Sequence, residues 1–157
     1  MKKFELTSES IVNIFGKKLF RIKALIEFGN VKEGELGGFV EKEENLSHDG
    51  NAWVYENAKV YGNAKVYGNA KVYGDAEVYG DARVCGDADY ATVKGFGTEY
   101  RTTTFFKCKD GIARVKCGCF YGDLEEFRNQ VKNTRKGKIA EEYLMIADLM
   151  EKHFKEE

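Results

Sequence analysis

NAWVYE, NAKVYG, NAKVYG, NAKVYG, DAEVYG, DARVCG and DADYAT follow one another without interruption from Asn51, seven hexads over residues 51–92 of a 157-residue chain. A period of six suits no α-helix, because 3.6 residues per turn would carry the apolar positions in a spiral around the axis. It suits a strand of about four residues followed by a corner. Within one hexad Ala64 and Val66 lie two apart and share a side, while Lys65 and Tyr67 point the other way. The inward pair is always small plus β-branched: Ala58/Val60, Ala70/Val72, Ala76/Val78, Ala82/Val84. Glycine with Asn or Asp falls at the corner, where positive φ is cheap.

One such strand cannot bury its face alone, so successive hexads must wrap a shared core. Three faces of six residues close a coil of 18, with the next coil about 4.8 Å above it. Seven hexads make 7/3 coils, a stack of roughly 11 Å. Positions 18 apart then lie over one another. Tyr55 stands over Tyr73, Tyr61 over Tyr79 and Tyr67 over Cys85; Lys59 meets Glu77, Lys71 meets Asp89, and Lys65 meets Arg83 as the one unfavourable pair. The hexads place an aliphatic residue four before a small one, as in Val60–Ala64 and Val66–Ala70. In this they resemble the hexapeptide-repeat family of left-handed parallel β-helices, and the left hand is what that resemblance implies.

A stack this short has two open ends that natural proteins cover, which gives the flanks a task. Residues 17–26 (KKLFRIKALI) alternate as a strand, with Phe20, Ile22 and Ala24 on one side. Residues 34–50 break the six-residue phase and read as an irregular capping coil. Runs 99–108 and 112–120 flank Asp110-Gly111, a hairpin signal. Asp123 precedes Glu126 at capping-box spacing, and Leu124, Phe127 and Val131 follow at helical spacing. A second helix runs from about Lys138 to Phe154, with an apolar stripe of Ile139, Tyr143, Ile146, Leu149, Met150 and Phe154. The expected fold is therefore mainly β: residues 1–50 an N-terminal strand and capping coil, 51–92 a short left-handed parallel β-helix of hexapeptide repeats, and 93–157 a β-hairpin plus two helices.

LFRIKAL with GELGGFVEKEENLSHDGNAWVY, the NAKVYG hexads, and TTFFKCKDG…CGCFYGDLEEF occur here in one order. That order resembles a group of small phage and prophage hexapeptide-repeat proteins. The resemblance implies a viral protein acting on its host, with counter-defence as one form of that role. It supplies no catalytic residue.

A net charge of −1 and a pI near 6.2 argue against generic nucleic-acid binding, which shows a basic excess. No apolar run approaches the roughly 20 residues that span a bilayer. The start Met1-Lys2-Lys3-Phe4-Glu5 has no apolar signal region. The expected location is cytoplasmic, the host cytoplasm for a phage-encoded chain, with Cys85, Cys108, Cys117 and Cys119 reduced.

Many hexapeptide-repeat enzymes are acyltransferases that use a histidine between the helices of a trimer. Here His48 lies in the capping segment and His153 near the end of the last helix, neither inside the regular coils. A solvated turn is the reading for His48, and an acyltransferase-like enzyme is kept as the alternative function. Cys108, Cys117 and Cys119 have the look of a metal set, but no Cys-x-x-Cys or partner His accompanies them; they read as small core residues, Cys85 at an outward position reads as a bare thiol, and no metal or cofactor is expected. Outward Tyr55, Tyr61, Tyr67, Tyr73 and Tyr79 with Lys59, Lys65 and Lys71 form a candidate binding wall, since tyrosine offers large area at small entropic cost. Arg101 with Arg114 on the facing strand forms a candidate anion site. Together these features lead to the expectation of a non-catalytic binding or assembly protein, self-associating as a trimer or dimer, whose partner is a host protein or a small nucleotide, with no membrane contact.

Overall fold

The computed structural model describes residues 2–155. The chain opens with strands β1 (Phe4–Val12) and β2 (Lys18–Ala24), an antiparallel hairpin with a register shift between Leu6 and Ser10. Strand β3 (Leu36–Val40) pairs antiparallel with β2 and parallel with the first full coil, Val40 opposite Val60. β1 carries too little alternation to be read as a strand from sequence, and β2 is buried on both sides: Leu19, Ile22 and Ala24 are all covered.

The hexads give two-residue strands: β4 (Trp53–Val54), β5 (Lys59–Val60), β6 (Lys65–Val66), β7 (Lys71–Val72), β8 (Glu77–Val78) and β9 (Arg83–Val84). They pair parallel at a spacing of 18, as Trp53 with Lys71, Lys59 with Glu77 and Lys65 with Arg83. Three ladders result. The first face carries β3, β5 and β8; the second carries Leu46, β6 and β9; the third carries β4 and β7. The valines and alanines of all three are fully buried in one core. Burying a valine contributes roughly 1.5–3 kcal/mol, so a column such as Leu46–Val66–Val84 holds the register firmly.

At each corner an alanine N–H closes a turn on a tyrosine carbonyl, as Ala64 on Tyr61 (3.4 Å) and Ala76 on Tyr73 (3.4 Å). Gly62, Gly68, Gly74 and Gly80 take φ between 64° and 68° there. Glu56 occupies the same position with φ 55° and no glycine to relieve it. The out-of-phase segment 34–50 has a simple geometry: Val40 and Leu46 pair with Val60 and Val66 at a spacing of 20, whereas Trp53 pairs at 18. Two extra residues therefore bulge between Leu46 and Trp53, and His48 sits in that bulge.

The stack ends earlier than seven hexads. Asp87–Asp89 forms a short 3-10 turn and β10 (Tyr90–Val93) leaves to join β11 (Thr103–Lys107), β12 (Ala113–Cys117) and β13 (Phe120–Asp123) in a four-stranded antiparallel sheet. The expected Lys71–Asp89 rung does not form; instead the Lys71 N–H donates to Asp87 Oδ1 (3.1 Å). Each face is closed by its own device. On the first, Thr104 Oγ1 accepts from the Glu77 N–H (2.9 Å). On the second, Asp89 Oδ2 accepts from the Cys85 N–H (2.9 Å), and Cys108 bridges to Ala82. On the third, the Tyr90 hydroxyl accepts from the Tyr73 N–H and donates to the Lys71 carbonyl.

Asp123 caps α1 (Leu124–Thr134): it accepts from the Glu126 N–H at 2.8 Å while Glu126 Oε1 accepts from its own N–H at 3.0 Å. Helix α2 (Gly137–Phe154) packs Tyr143, Ile146, Ala147 and Met150 onto Phe105, Phe127 and Val131. Leu149, expected in that stripe, is 58% exposed, and Ala147 takes its place.

Candidate binding face

The tyrosine wall is not uniform. On the first face Tyr61 is buried, because Leu19, Phe39 and Ile11 of the N-terminal strands lie across it. Phe15 at the hairpin tip stacks on Tyr79 (6.2 Å), whose other edge meets Tyr121. Tyr61 and Tyr79 are thus removed from the expected wall, and desolvation pushes the Tyr61 hydroxyl up. Lys59, half-buried, faces Glu77 in register. On the third face Tyr55 and Tyr73 stack at 4.5 Å with rings 16° apart, and Lys71 is half-buried beside them. Tyr55 is half-buried there, and Tyr73 stays exposed.

The second face is the open one. Lys65 and Tyr67 are exposed, and Arg83 and Cys85 follow one coil below. Elsewhere the rings run in ladders, Tyr61 over Tyr79 at 4.7 Å. Here the ladder is broken on both sides of Tyr67: Cys85 stands beneath it, and Ser47, whose N–H donates to the Val66 carbonyl, stands where the ring above would be. The missing ring leaves a recess of about 470 Å³ lined by Tyr67, Leu46, His48, Lys65 and Glu44. A second groove of about 410 Å³ adjoins it, lined by Lys42, Asn63, Lys65, Arg83, Asp81 and Lys109. Lys42 Nζ donates to Asn63 Oδ1 (3.1 Å) and Arg83 Nη1 to the Asn63 carbonyl (2.8 Å). Lys65 and Arg83 stay paired across adjacent parallel strands. Like charges directly opposite destabilise a sheet, and here no carboxylate of the described residues forms an ion pair with either. Four cations around one groove, with Glu44 and Asp81 opposing them, leave a net positive surface.

His48 is not a solvated turn residue. Its Nδ1 accepts from the Lys3 N–H (3.0 Å), its Nε2 reaches Glu43 Oε1 (2.8 Å), and its ring stacks on Phe4 at 4.4 Å. A backbone N–H on Nδ1 fixes the neutral tautomer that carries its proton on Nε2. Both nitrogens are engaged, so the imidazole works as a wedge in the two-residue bulge. Lys3, fully buried, points its ammonium at the carbonyls of Ala52 (2.7 Å) and Gly50 (3.3 Å), and desolvation pulls it down to about 8. His153 lies exposed near the end of α2 against Phe154.

Arg101 and Arg114 are not brought together. Arg114 makes a bidentate pair with Asp110 (3.0 and 2.9 Å), which holds the Asp110 carboxyl down at about 2. It lines a cavity with Cys108 and Tyr121 where the module meets the stack. Arg101, paired with Glu99, lines a different pocket with Arg135, a residue whose place near it no sequence spacing reveals. The cysteines divide likewise: Cys108 is core, and burial pushes its thiol up, while half-buried Cys117 accepts at Sγ from the Thr103 hydroxyl (3.2 Å) and Cys119, expected in the core, is exposed because it lies in the turn between β12 and β13. Among the described residues no three His, Cys, Asp or Glu side chains are grouped to hold a metal ion, and no helix is long and apolar enough to cross a membrane. No profile of a known protein family and no curated protein matches the chain.

Proposed function

We propose that this is a binding protein without turnover, whose second face holds a nucleotide-type ligand: phosphates on Lys42, Lys65, Arg83 and Lys109, and a planar ring on Tyr67. The observation that carries the reading is the like-charged rung Lys65/Arg83 lying beside a tyrosine with no ring stacked on it. An anion between the two cations removes their repulsion. A base stacked on Tyr67 restores the spacing of about 4.5 Å that Tyr55 and Tyr73 keep. Stacking on an exposed aromatic is worth roughly 1–3 kcal/mol per base.

In this reading the stack is a left-handed parallel β-helix of the hexapeptide-repeat type, encoded by a phage or prophage and working in the host cytoplasm. Sequestration of a nucleotide signal of host immunity is the counter-defence form of the role. Self-association through the third face, which carries Tyr55 and Tyr73, would multiply the sites. An acyltransferase is the weaker reading, since both His48 nitrogens are engaged within the fold.

The test is calorimetric titration with a nucleoside triphosphate, a cyclic dinucleotide and the free nucleoside, together with mass spectrometry of small molecules released from the protein after incubation in host lysate. Tyr67→Ala and Lys65→Ala should each weaken binding about tenfold or more, the bound nucleotide should be recovered unchanged, and Tyr73→Ala should have little effect. Binding indifferent to Tyr67 and Lys65, conversion of the ligand, or consumption of acyl-CoA would refute the proposal.

A further inference from the structure

The C-terminal module contains a pocket of about 260 Å³ that lies apart from the repeat faces, between β12, β13 and the two helices. Its floor is aromatic: Phe120 and Phe127 lie 5.7 Å apart, and Phe127 meets Tyr143 edge-on at 5.9 Å. Tyr143 is 5% exposed, and its phenol is within electrostatic reach of Arg101, Arg135 and Cys117. Two guanidiniums stand at the mouth. Arg135 terminates α1, where its N–H closes on the Val131 carbonyl (2.8 Å), and its side chain has no carboxylate ion pair among the described residues. Arg101 is shared with Glu99.

We infer that this pocket is a second binding site, for a small organic oxyanion: one carboxylate or phosphate head held by Arg101 and Arg135, joined to a single apolar ring seated on Phe120 and Phe127. Planar guanidiniums match the geometry of both heads, and each charge-assisted bond is strong where solvent is partly excluded. Size sets the body of the ligand. A pocket just below the roughly 300–1,000 Å³ of common small-molecule sites takes one ring and one head group, not a base, a sugar and several phosphates. The hydroxyl of Tyr143 supplies the third polar contact from beneath. Separate cations and separate rings make this site independent of the second face of the stack.

The experiment titrates the whole protein with phenyl phosphate, benzoate and inorganic phosphate by NMR. In parallel it follows alkylation of Cys119, which is exposed at the pocket rim, with exposed Cys85 on the stack as the internal control. Phenyl phosphate or benzoate should saturate, bind more tightly than inorganic phosphate, and slow alkylation of Cys119 while leaving Cys85 unchanged. Arg101→Gln combined with Arg135→Gln should weaken binding by about tenfold or more, a change of about 1.4 kcal/mol. Arg114→Gln and Lys65→Ala should not weaken it. Both pocket arginines are exposed, so their loss leaves the fold intact; Tyr143→Phe, which keeps the ring, should weaken binding less than the double variant. The proposal is overturned if no probe saturates by about 10 mM, where even a contact of about 4 kcal/mol would be mostly occupied. Equal affinity in the double variant, or equal protection of Cys85 and Cys119, overturns it as well.

Discussion

Glu56 and Gly74 lie one coil apart at the same corner, and exchanging their characters isolates the strain of that corner from everything else. Glu56 holds φ 55° and Gly74 φ 67°. For a residue with a Cβ the left-handed region costs about 1–2 kcal/mol. The Glu56 side chain is exposed, and its carbonyl accepts from Arg21 (3.2 Å), a bond that any residue retains. Glu56→Gly therefore removes the strain and loses little contact, against about 0.4–1 kcal/mol of added freedom in the unfolded chain. The net gain is about 0.5–1 kcal/mol, which raises Tm by roughly 1–4 °C in a chain of this length. Gly74→Ala is the reverse case. A Cβ there meets no heavy atom within 4 Å, so conformation alone sets the penalty, again about 0.5–1 kcal/mol after the unfolded-state offset. Urea unfolding and thermal melts of the two variants should move to opposite sides of the parent. A Glu56→Gly protein that melts lower, or a Gly74→Ala protein that melts higher, would show that positive φ is not what the corner requires.

Val66→Asp should unfold the protein, because a carboxyl replaces a fully buried valine between Leu46 and Val84 at several kcal/mol, while Tyr67→Ser on the neighbouring outward position should fold; circular-dichroism melts in the reverse order would refute the inward and outward assignment. Lys3 gives a pH dependence. With its folded pKa at about 8 and its ordinary value 10.5, the unfolded chain binds more protons between the two, so stability rises from about pH 8 upward. Above pH 10 Tyr61 and Tyr121, whose hydroxyls are pushed up, act in the opposite sense, so pH 8 to 9.5 is the window: wild type should gain on Lys3→Met there, and parallel Tm curves would refute it. Self-association should appear in light scattering at micromolar concentration as a dimer or trimer of the 17.8 kDa chain, and a purely monomeric solution would remove the assembly part of the proposed function.

The repeat was legible because every inward position obeys one rule. Val60, Val66, Val72, Val78 and Val84 need no context to be placed, and the 18-residue pairing follows from them. The helix cap at Asp123 and Glu126 was equally local. What escaped depended on contacts between distant segments. Nothing in the hexads tells that Phe15 and Leu19 fold over the first face, so Tyr61 read as surface and is core. The two-residue bulge around His48 is a break in phase whose length only the pairing of Leu46 with Val66 reveals. Arg101 read as the mate of Arg114 because a hairpin faces one toward the other in sequence; Asp110 occupies Arg114, and α1 delivers Arg135 instead. The candidate face was half readable: Lys65 and Tyr67 come from the pattern, while Lys42 and Lys109 arrive from outside the repeat.

The three different closures at the lower end of the stack limit how such a chain lengthens. Thr104, Asp89 and Tyr90 are each matched to the strand above them, β8, β9 and β7 respectively. Inserting one hexad would turn the exit by a third of a coil and present every closure to a strand it does not fit. Inserting three would return the exit to its starting face with all its donors matched. Growth of this gene by repeat expansion is therefore quantised in units of 54 nucleotides, the coding length of one 18-residue coil. A protein carrying one extra coil should melt as a single cooperative unit, whereas one carrying a single extra hexad should expose its lower end and aggregate.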